Sequence, residues 1–142
     1  ALYEDRWAHL KPNPNSPGIF TKGLAVHVVL PMPVRHGEGK LVARDAATLQ
    51  RLQDENLIAL QYTHPETGEA TQEHPWNPNG SPLAIAGLTD PTGHILGLMP
   101  HPEAFHHATN HPGWTRGEVA VPGTALFANA VRYLRENPVN HS

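Results

Sequence analysis

Short apolar runs bounded by proline and glycine predict the strands of this chain. Residues 25–30 are apolar except for His27 and are rich in β-branched valine, and Pro31 and Pro33 follow them. Because proline cannot donate a hydrogen bond within a strand ladder, this pattern predicts a buried strand that the two prolines stop. Residues 57–63 form a second run with the composition of a strand.

Two further apolar runs, residues 85–89 and 94–99, flank the sequence Asp-Pro-Thr-Gly. Proline followed closely by glycine is a strong turn signal. The two runs are therefore predicted to form an antiparallel hairpin.

Apolar positions spaced three and four residues apart predict two helices. Asp45 is predicted to cap a helix that runs through Leu57. Residues 124–136 predict a C-terminal amphipathic helix, which Pro138 stops. Its inward positions are predicted to be Leu126, Phe127, Ala130, Val131 and Leu134. Strands mixed with helices in this way favour an α/β fold, with a mixed sheet that includes the antiparallel hairpin, in one domain spanning residues 1–142.

The densest chemical signal is the sequence Met-Pro-His-Pro-Glu at residues 99–103. Proline disfavours the α conformation in the residue before it, so Met99 and His101 are predicted to have extended backbone. Side chains two residues apart in an extended segment project to the same side, which would place His101 and Glu103 side by side. A carboxylate beside an imidazole orients the ring and holds one tautomer, which suits a histidine that relays a proton.

A histidine and carboxylate of this kind normally activate a cysteine or serine nucleophile. The chain contains no cysteine, and none of its serines (Ser16, Ser81 and Ser142) lies in a Gly-x-Ser-x-Gly elbow. The residues alone therefore leave two interpretations open. They are a catalytic pair whose nucleophile comes from elsewhere, or two polar surface residues at a rigid strand exit.

A glycine turn, His-Gly-Glu-Gly at residues 36–39, is the second candidate site. Gly37 and Gly39 permit positive φ and let a ligand approach the backbone closely. Backbone groups in such turns can bind the carboxylate and amine of an amino acid, although an ordinary turn after a strand fits the same residues. The Asn-Pro-Asn-Gly-Ser sequence at residues 77–81 favours turns and predicts a loop that supports a site. The supporting residues are predicted to be His36, Gly39, Asn77, Asn79, Gly80 and Ser81.

The composition argues against several other classes of protein. The formal net charge of -3 gives no basic footprint for nucleic acid, and no apolar run approaches the length of a membrane span. The N-terminus lacks the charged and then apolar pattern of a signal peptide. Without cysteine there are no disulfides and no thiolate metal sites, and a cytoplasmic location is the default expectation.

Four motifs together resemble the glutaminase domain of phosphoribosylformylglycinamidine synthase, a class I (triad-type) glutamine amidotransferase of purine biosynthesis. They are YEDRW at residues 3–7, VRHGEGK at residues 34–40, NPNGS at residues 77–81 and IAGLTDPTGHILGLMPHPE at residues 85–103. The resemblance implies part of a flavodoxin-like amidotransferase domain. It also implies a Cys-His-Glu triad in which His101 and Glu103 are the last two members.

The same resemblance implies the substrate and the partners. Arg35, Gly37 and Glu38 would bind glutamine, and the nucleophilic cysteine would lie on a strand-to-helix elbow before residue 3. The chain is then expected to be the C-terminal half of a glutaminase domain, inactive alone. Ammonia would pass to a synthetase domain or subunit, which would use ATP and magnesium, and no cofactor is expected in this chain. Ala104 stands where the family commonly has arginine.

Two alternatives come from other classes of protein. Several side chains within eleven residues could supply nitrogen and oxygen ligands for zinc, although no His-Glu-x-x-His helix is present. These candidate ligands are His101, Glu103, His106, His107 and His111. The second alternative is a non-catalytic remnant that serves protein interaction.

Overall fold

The computed structural model describes residues 2–25, 28–118 and 120–138. Five strands form one sheet in the order β2-β1-β3-β4-β5, and every neighbouring pair is antiparallel. The strands are β1 (Glu4–Pro12), β2 (Leu30–His36), β3 (Ile58–Tyr62), β4 (Ile85–Thr89) and β5 (Leu96–Leu98). The helices are α1 (Ala46–Asp54) and α2 (Thr124–Glu136), with single 3-10 turns at Pro82–Ala84, Pro102–Ala104, Ala108–Asn110 and Trp114–Arg116.

The core lies between one face of this sheet and α2. Alternate residues of a strand point to the same face, so Ala8 and Leu10 of β1 are buried beside Met32 and Val34 of β2. Leu126 of α2 is buried in the same cluster. The helix is therefore fixed against the sheet by the burial of apolar side chains.

The strand predicted at residues 25–30 is wrong in its position. Val26 and His27 lie outside the described residues, and β2 begins only at Leu30 and continues through Pro31 and Pro33. Both prolines are tolerated because β2 is at the edge of the sheet and pairs only with β1. A proline on an edge strand can direct its missing donor away from the neighbouring strand.

The remaining elements lie close to their predicted positions. Asp45 caps α1 as predicted, since its carboxylate accepts a hydrogen bond from the Thr48 amide at 2.7 Å. The helix ends at Asp54, before the predicted Leu57, because Asn56 has a positive φ of 56°. The strand at residues 57–63, the hairpin and the C-terminal helix are confirmed, as β3, β4 with β5, and α2.

The inward face of α2 is only partly the predicted one. Leu126 and Ala130 are buried as predicted, together with Asn129, whose side-chain amide donates to the Phe20 carbonyl at 3.0 Å. The other three predicted inward residues are about half exposed. These are Phe127, Val131 and Leu134. They recur at intervals of four and three residues and therefore form an apolar stripe along the outer side of the helix.

The α/β class is confirmed, while the sheet that was predicted to be mixed is antiparallel at all four pairings. A single domain over residues 1–142 remains a prediction. Within the described residues, no helix is long and apolar enough to cross a membrane.

Candidate active site

His101 and Glu103 lie side by side, as the sequence predicts. His101 Nδ1 is 2.7 Å from Glu103 Oε1. The backbone differs from the predicted extended segment, because Pro102–Ala104 form one turn of 3-10 helix. His101 itself, with φ -106° and ψ 86°, stays outside that turn, as a residue before proline should. The pair is therefore made by a proline-initiated helical turn and not by a strand.

Two backbone hydrogen bonds hold this turn against the rest of the domain. The His101 amide donates to the Pro33 carbonyl of β2 at 2.8 Å, and the Gly123 amide donates to the Phe105 carbonyl at 2.9 Å. Gly123 also lies directly against the backbone of Pro102, where a side-chain carbon would collide with the carbonyl. No local signal in the sequence points to these contacts, because each joins segments far apart in the chain.

The hydrogen bond decides which nitrogen of His101 is available for chemistry. Glu103, as a carboxylate, can only accept, so the short contact requires the proton to be on Nδ1. In the neutral imidazole, Nε2 is then the unprotonated nitrogen. The His101 side chain is 40% exposed, so a reactant can reach it. The pair has the arrangement of a general base with its orienting acid.

The pKa of Glu103 is held below its ordinary value. Desolvation raises it, but hydrogen bonds from the Glu103 amide and from His101 outweigh this effect. The positive charges of His101 and Arg35 lower the pKa further. Glu103 is therefore ionised at neutral pH, as a residue that orients an imidazole must be.

A cavity of about 340 Å³ opens beside the pair. Apolar side chains from β5 and α2 form one part of its wall, His101 and Glu103 belong to the lining, and the exposed lining is about equally polar and apolar. Its lining residues are Phe20, Leu96, Leu98, Pro100, His101, Pro102, Glu103, Leu126 and Phe127. A small space lined by apolar side chains and a few polar groups is typical of a site for a small ligand.

The glycine turn at residues 36–39 begins at His36, where β2 ends. His36 is three residues after Pro33, whose carbonyl accepts the hydrogen bond from the His101 amide. Arg35 is close enough to Glu103 to influence its pKa, and forms a loose ion pair with Asp5 at 3.8 Å. Glu38 is exposed, and none of residues 35–39 lines the cavity beside His101. Gly39 is buried against the His36 ring, whose two nitrogens have no hydrogen-bond partner in the described part of the chain.

The loop at residues 77–81 is ordered by Asn77, which is 1% exposed. The Asn77 amide nitrogen donates to Thr71 and Ser81 carbonyls at 3.2 and 2.9 Å, and its oxygen accepts from the Ser81 amide at 2.9 Å. Gly80 has a positive φ of 68°, which explains the glycine. The side-chain oxygen of Asn79 is buried and has no hydrogen-bond partner among the described residues. This loop does not line the cavity beside His101, and its supporting role remains a prediction.

The histidines after the pair are engaged locally. His106 Nδ1 lies 3.3 Å from the Glu103 carbonyl, His107 Nδ1 lies 2.8 Å from Thr109 Oγ1, and His111 Nδ1 accepts from the Gly113 amide at 3.0 Å. Among residues that the structure describes, no three histidine, aspartate or glutamate side chains are grouped so that they could hold a metal ion. The predicted alternative of a zinc site therefore gains no geometric support.

The segment after the pair is anchored to β1. Phe105 is buried and packs edge-on against Trp7, with ring centres 5.1 Å apart. His111 contacts the same indole at 5.2 Å. The tryptophan of the YEDRW motif therefore supports the turn that carries His101.

Comparison with known proteins assigns the class to which this fold and site belong. Residues 1–134 match the family of CobB/CobQ-like glutamine amidotransferase domains, and the chain belongs to that family. Its relatives include the phosphoribosylformylglycinamidine synthase subunit PurQ of Methanococcus maripaludis strain C5, which is 37% identical over 94% of this chain and 52% of the relative. The corresponding subunit of Dehalococcoides mccartyi is 36% identical over 94% of this chain and 50% of the relative.

The chain spans about half the length of the relatives it matches. A solved structure of PurLQS from Thermotoga maritima has the same fold, with a TM-score of 0.62. The similarity covers 93% of this chain and 48% of that one, at 24% identity. The family that the four motifs predict is thereby confirmed, whereas the roles of individual site residues remain predictions.

Proposed function

We propose that this chain provides the histidine and glutamate of a glutaminase site that releases ammonia from glutamine for purine biosynthesis. The observation that carries the proposal is the 2.7 Å contact between His101 Nδ1 and Glu103 Oε1, which leaves Nε2 as the free base beside a cavity. Membership of the glutamine amidotransferase family and similarity to PurQ subunits support the choice of substrate. A cytoplasmic location is part of this proposal.

The chemistry requires a nucleophile, and the chain has no cysteine. A cysteine from a further polypeptide segment would give its proton to His101 Nε2, and the thiolate would attack the side-chain amide carbon of glutamine. His101 would then protonate the departing ammonia, which leaves a thioester. Next, Nε2 would take a proton from water, and the hydroxide would release glutamate before the proton returned to the cysteine. Throughout, Glu103 would hold the ring through Nδ1.

In this proposal the glycine turn binds the substrate. Arg35, Gly37 and Glu38 would hold the α-carboxylate and α-amino groups of glutamine, while the amide end reaches His101. The turn does not line the cavity beside His101, so the two regions would form one site only when a further segment encloses them.

Two features of the surface support a position for the cysteine-bearing segment in this proposal. The outer edge of β5 pairs with no strand among the described residues, and His101 follows β5 by three residues. A strand added parallel to β5 would end on the same side as His101, which would place an elbow at its carboxyl end beside the imidazole. The helix after such an elbow could cover Phe127, whose half-exposed ring lines the cavity.

The ammonia would be used by a synthetase subunit or domain. Similarity to the PurLQS structure supports a partnership of this kind. ATP and magnesium would be bound by that partner, and this chain would contribute no cofactor.

The proposal is tested by supplying the nucleophile. The part of the Methanococcus maripaludis relative that this chain does not match, joined to the chain as a fusion, should release glutamate from glutamine. His101→Ala in the fusion should reduce the rate by at least about 100-fold. His107→Ala should leave it unchanged, because His107 is exposed and bonds only within its own loop. Glutamate release by the purified chain alone, or by the His101→Ala fusion at the full rate, would contradict the proposal.

A further inference from the structure

Residues 37–43, which follow β2 and contain both glycines of the glycine turn, have no regular secondary structure. Within the described part of the chain, a single hydrogen bond joins this segment to the rest of the domain. The Leu41 amide donates it to Ser81 Oγ at 3.1 Å. The residue that directly follows the HGEGK motif is therefore connected to the NPNGS motif by one side-chain hydroxyl.

The acceptor in this bond is held rigidly. Ser81 is 0% exposed, and its own amide and carbonyl are both bonded to the Asn77 side chain at 2.9 Å. Asn77 is in turn fixed by its bond to the Thr71 carbonyl and by its amide, which donates to Glu73 at 2.9 Å. The Ser81 backbone is consequently fixed, and its buried hydroxyl oxygen accepts from the Leu41 amide.

The packing around the segment is incomplete, so the hydrogen bond has little assistance. An open groove of about 550 Å³ is lined by residues 40–43 together with Gly80 and Pro82. Leu41 also borders a second, mainly apolar cavity of about 320 Å³ beside Gly87 and Leu98. A segment with empty space on two sides can move when its one polar anchor is removed.

From this arrangement we propose that Ser81, held by Asn77, is a positioning residue for the substrate-binding glycine turn. The inference rests on the proposed function, since the turn is the proposed binding site for glutamine. Ser81 is buried and does not line the cavity at His101, so it would act on binding and not on the chemical step. Loss of its hydroxyl should raise KM for glutamine and leave kcat nearly unchanged.

The first test uses the chain itself. In hydrogen exchange measured by NMR, the Leu41 amide should exchange more slowly than the amides of Lys40 and Val42, which have no acceptor among the described residues. Ser81→Ala should abolish that protection. Thr63→Val is the matched control, because it also removes a fully buried hydroxyl. That hydroxyl donates to the His9 carbonyl at 3.2 Å and not to the segment of residues 37–43.

The second test uses the fusion that carries the cysteine. Ser81→Ala should raise KM for glutamine about two- to tenfold, the usual range for one net hydrogen bond, and Thr63→Val should leave KM unchanged. Ser81→Thr, which retains the hydroxyl, should preserve the wild-type KM. A Leu41 amide that exchanges as fast as Val42, or an active Ser81→Ala enzyme with unchanged KM, would overturn the positioning role alone. A wild-type fusion without glutaminase activity would remove the proposed function instead.

Discussion

At the scale of single residues, Glu103 determines the state of His101. An exposed carboxylate and a neighbouring histidine usually form a weak pair, but a turn of 3-10 helix here fixes both backbones and makes the contact short. The consequence is a single tautomer rather than a large gain in stability. Glu103 is 63% exposed, so solvent screens its charge and its value lies in orientation.

The lowered pKa of Glu103 leads to a prediction about pH. His101→Ala should raise the pKa of Glu103, because the hydrogen bond and the charge of His101 both lower it. When folding lowers the pKa of a carboxyl group, the ionised group stabilises the folded protein at pH values above its pKa in the unfolded chain. This stabilisation is lost as the pH falls through its pKa in the folded protein. The difference in unfolding free energy between the wild type and Glu103→Gln should therefore shrink on acidification.

Carbon-13 NMR of the Glu103 carboxyl group, together with urea unfolding at several pH values, measures both effects. An identical titration midpoint in the wild type and in His101→Ala would show that the imidazole does not influence this carboxyl.

The sequence predicted the residue pair but not its support. Two prolines around a histidine restrict the backbone locally, so the proximity of His101 and Glu103 follows from five consecutive residues. The extended conformation was wrong because proline also starts helical turns, a choice that tertiary contacts decide. The contacts of Pro33 and Gly123 with this turn involve partners far along the chain, and no local pattern contains them.

At the scale of elements, the start of α2 is in direct contact with the turn that follows His101. Gly123 precedes the helix, donates to the Phe105 carbonyl and lies against the Pro102 backbone. Because the contact is between backbones, no side-chain rotation can relieve an added methyl group. The helix and the turn therefore hold each other in place.

Gly123→Ala should separate α2 from the turn. We expect the free energy of unfolding to fall by about 1–3 kcal/mol, the usual cost of overpacking, and the short contact between His101 and Glu103 to lengthen. Urea unfolding and NMR of the His101 ring nitrogens measure these effects. Gly97→Ala is the control, since nothing lies near the position of its added carbon. Equal stability of the two variants would contradict the close approach.

Helical periodicity predicted the limits of α2 and misassigned part of its inward face. The pattern detects which residues are apolar, but it does not indicate which of them the rest of the chain covers. Asn129, which is polar, is buried because the Phe20 carbonyl accepts its hydrogen bond, whereas Val131 is half exposed. For the same reason, a local sequence pattern does not predict which strands remote in sequence pair with each other. It therefore does not predict that the sheet is antiparallel throughout.

At the scale of the whole molecule, a group of half-exposed apolar side chains on α2 extends to the cavity beside His101. Phe127 and β5 both line the cavity beside His101. The apolar stripe on α2 (Phe127, Val131 and Leu134) therefore begins next to β5, whose outer edge pairs with no described strand. Contiguous exposed apolar surface next to a reactive group is a mark of an interaction site.

A charge in this stripe should weaken assembly without affecting the fold. Val131→Lys should change the unfolding free energy of the chain by less than about 0.5 kcal/mol, because the side chain is half exposed. The affinity of the Val131→Lys chain for the cysteine-bearing segment should fall by at least about tenfold. The segment is added as a separate polypeptide, and binding is measured by calorimetry. Ala128→Lys, an exposed position beside the stripe, should bind like the wild type. Equal affinities for the two lysine variants would exclude the stripe from the interface.

The prolines of β2 have a consequence for how copies of this chain behave in solution. An edge strand normally offers amide groups that recruit another molecule, which is a route to fibrils. Pro31 and Pro33 have no amide hydrogen to offer, and the Pro33 carbonyl is already occupied by His101. The β2 edge of one copy therefore offers few groups that could pair with the β5 edge of another. End-to-end addition of sheets is disfavoured from its first step, so the chain can keep the β5 edge open for a partner without polymerising through the β2 edge.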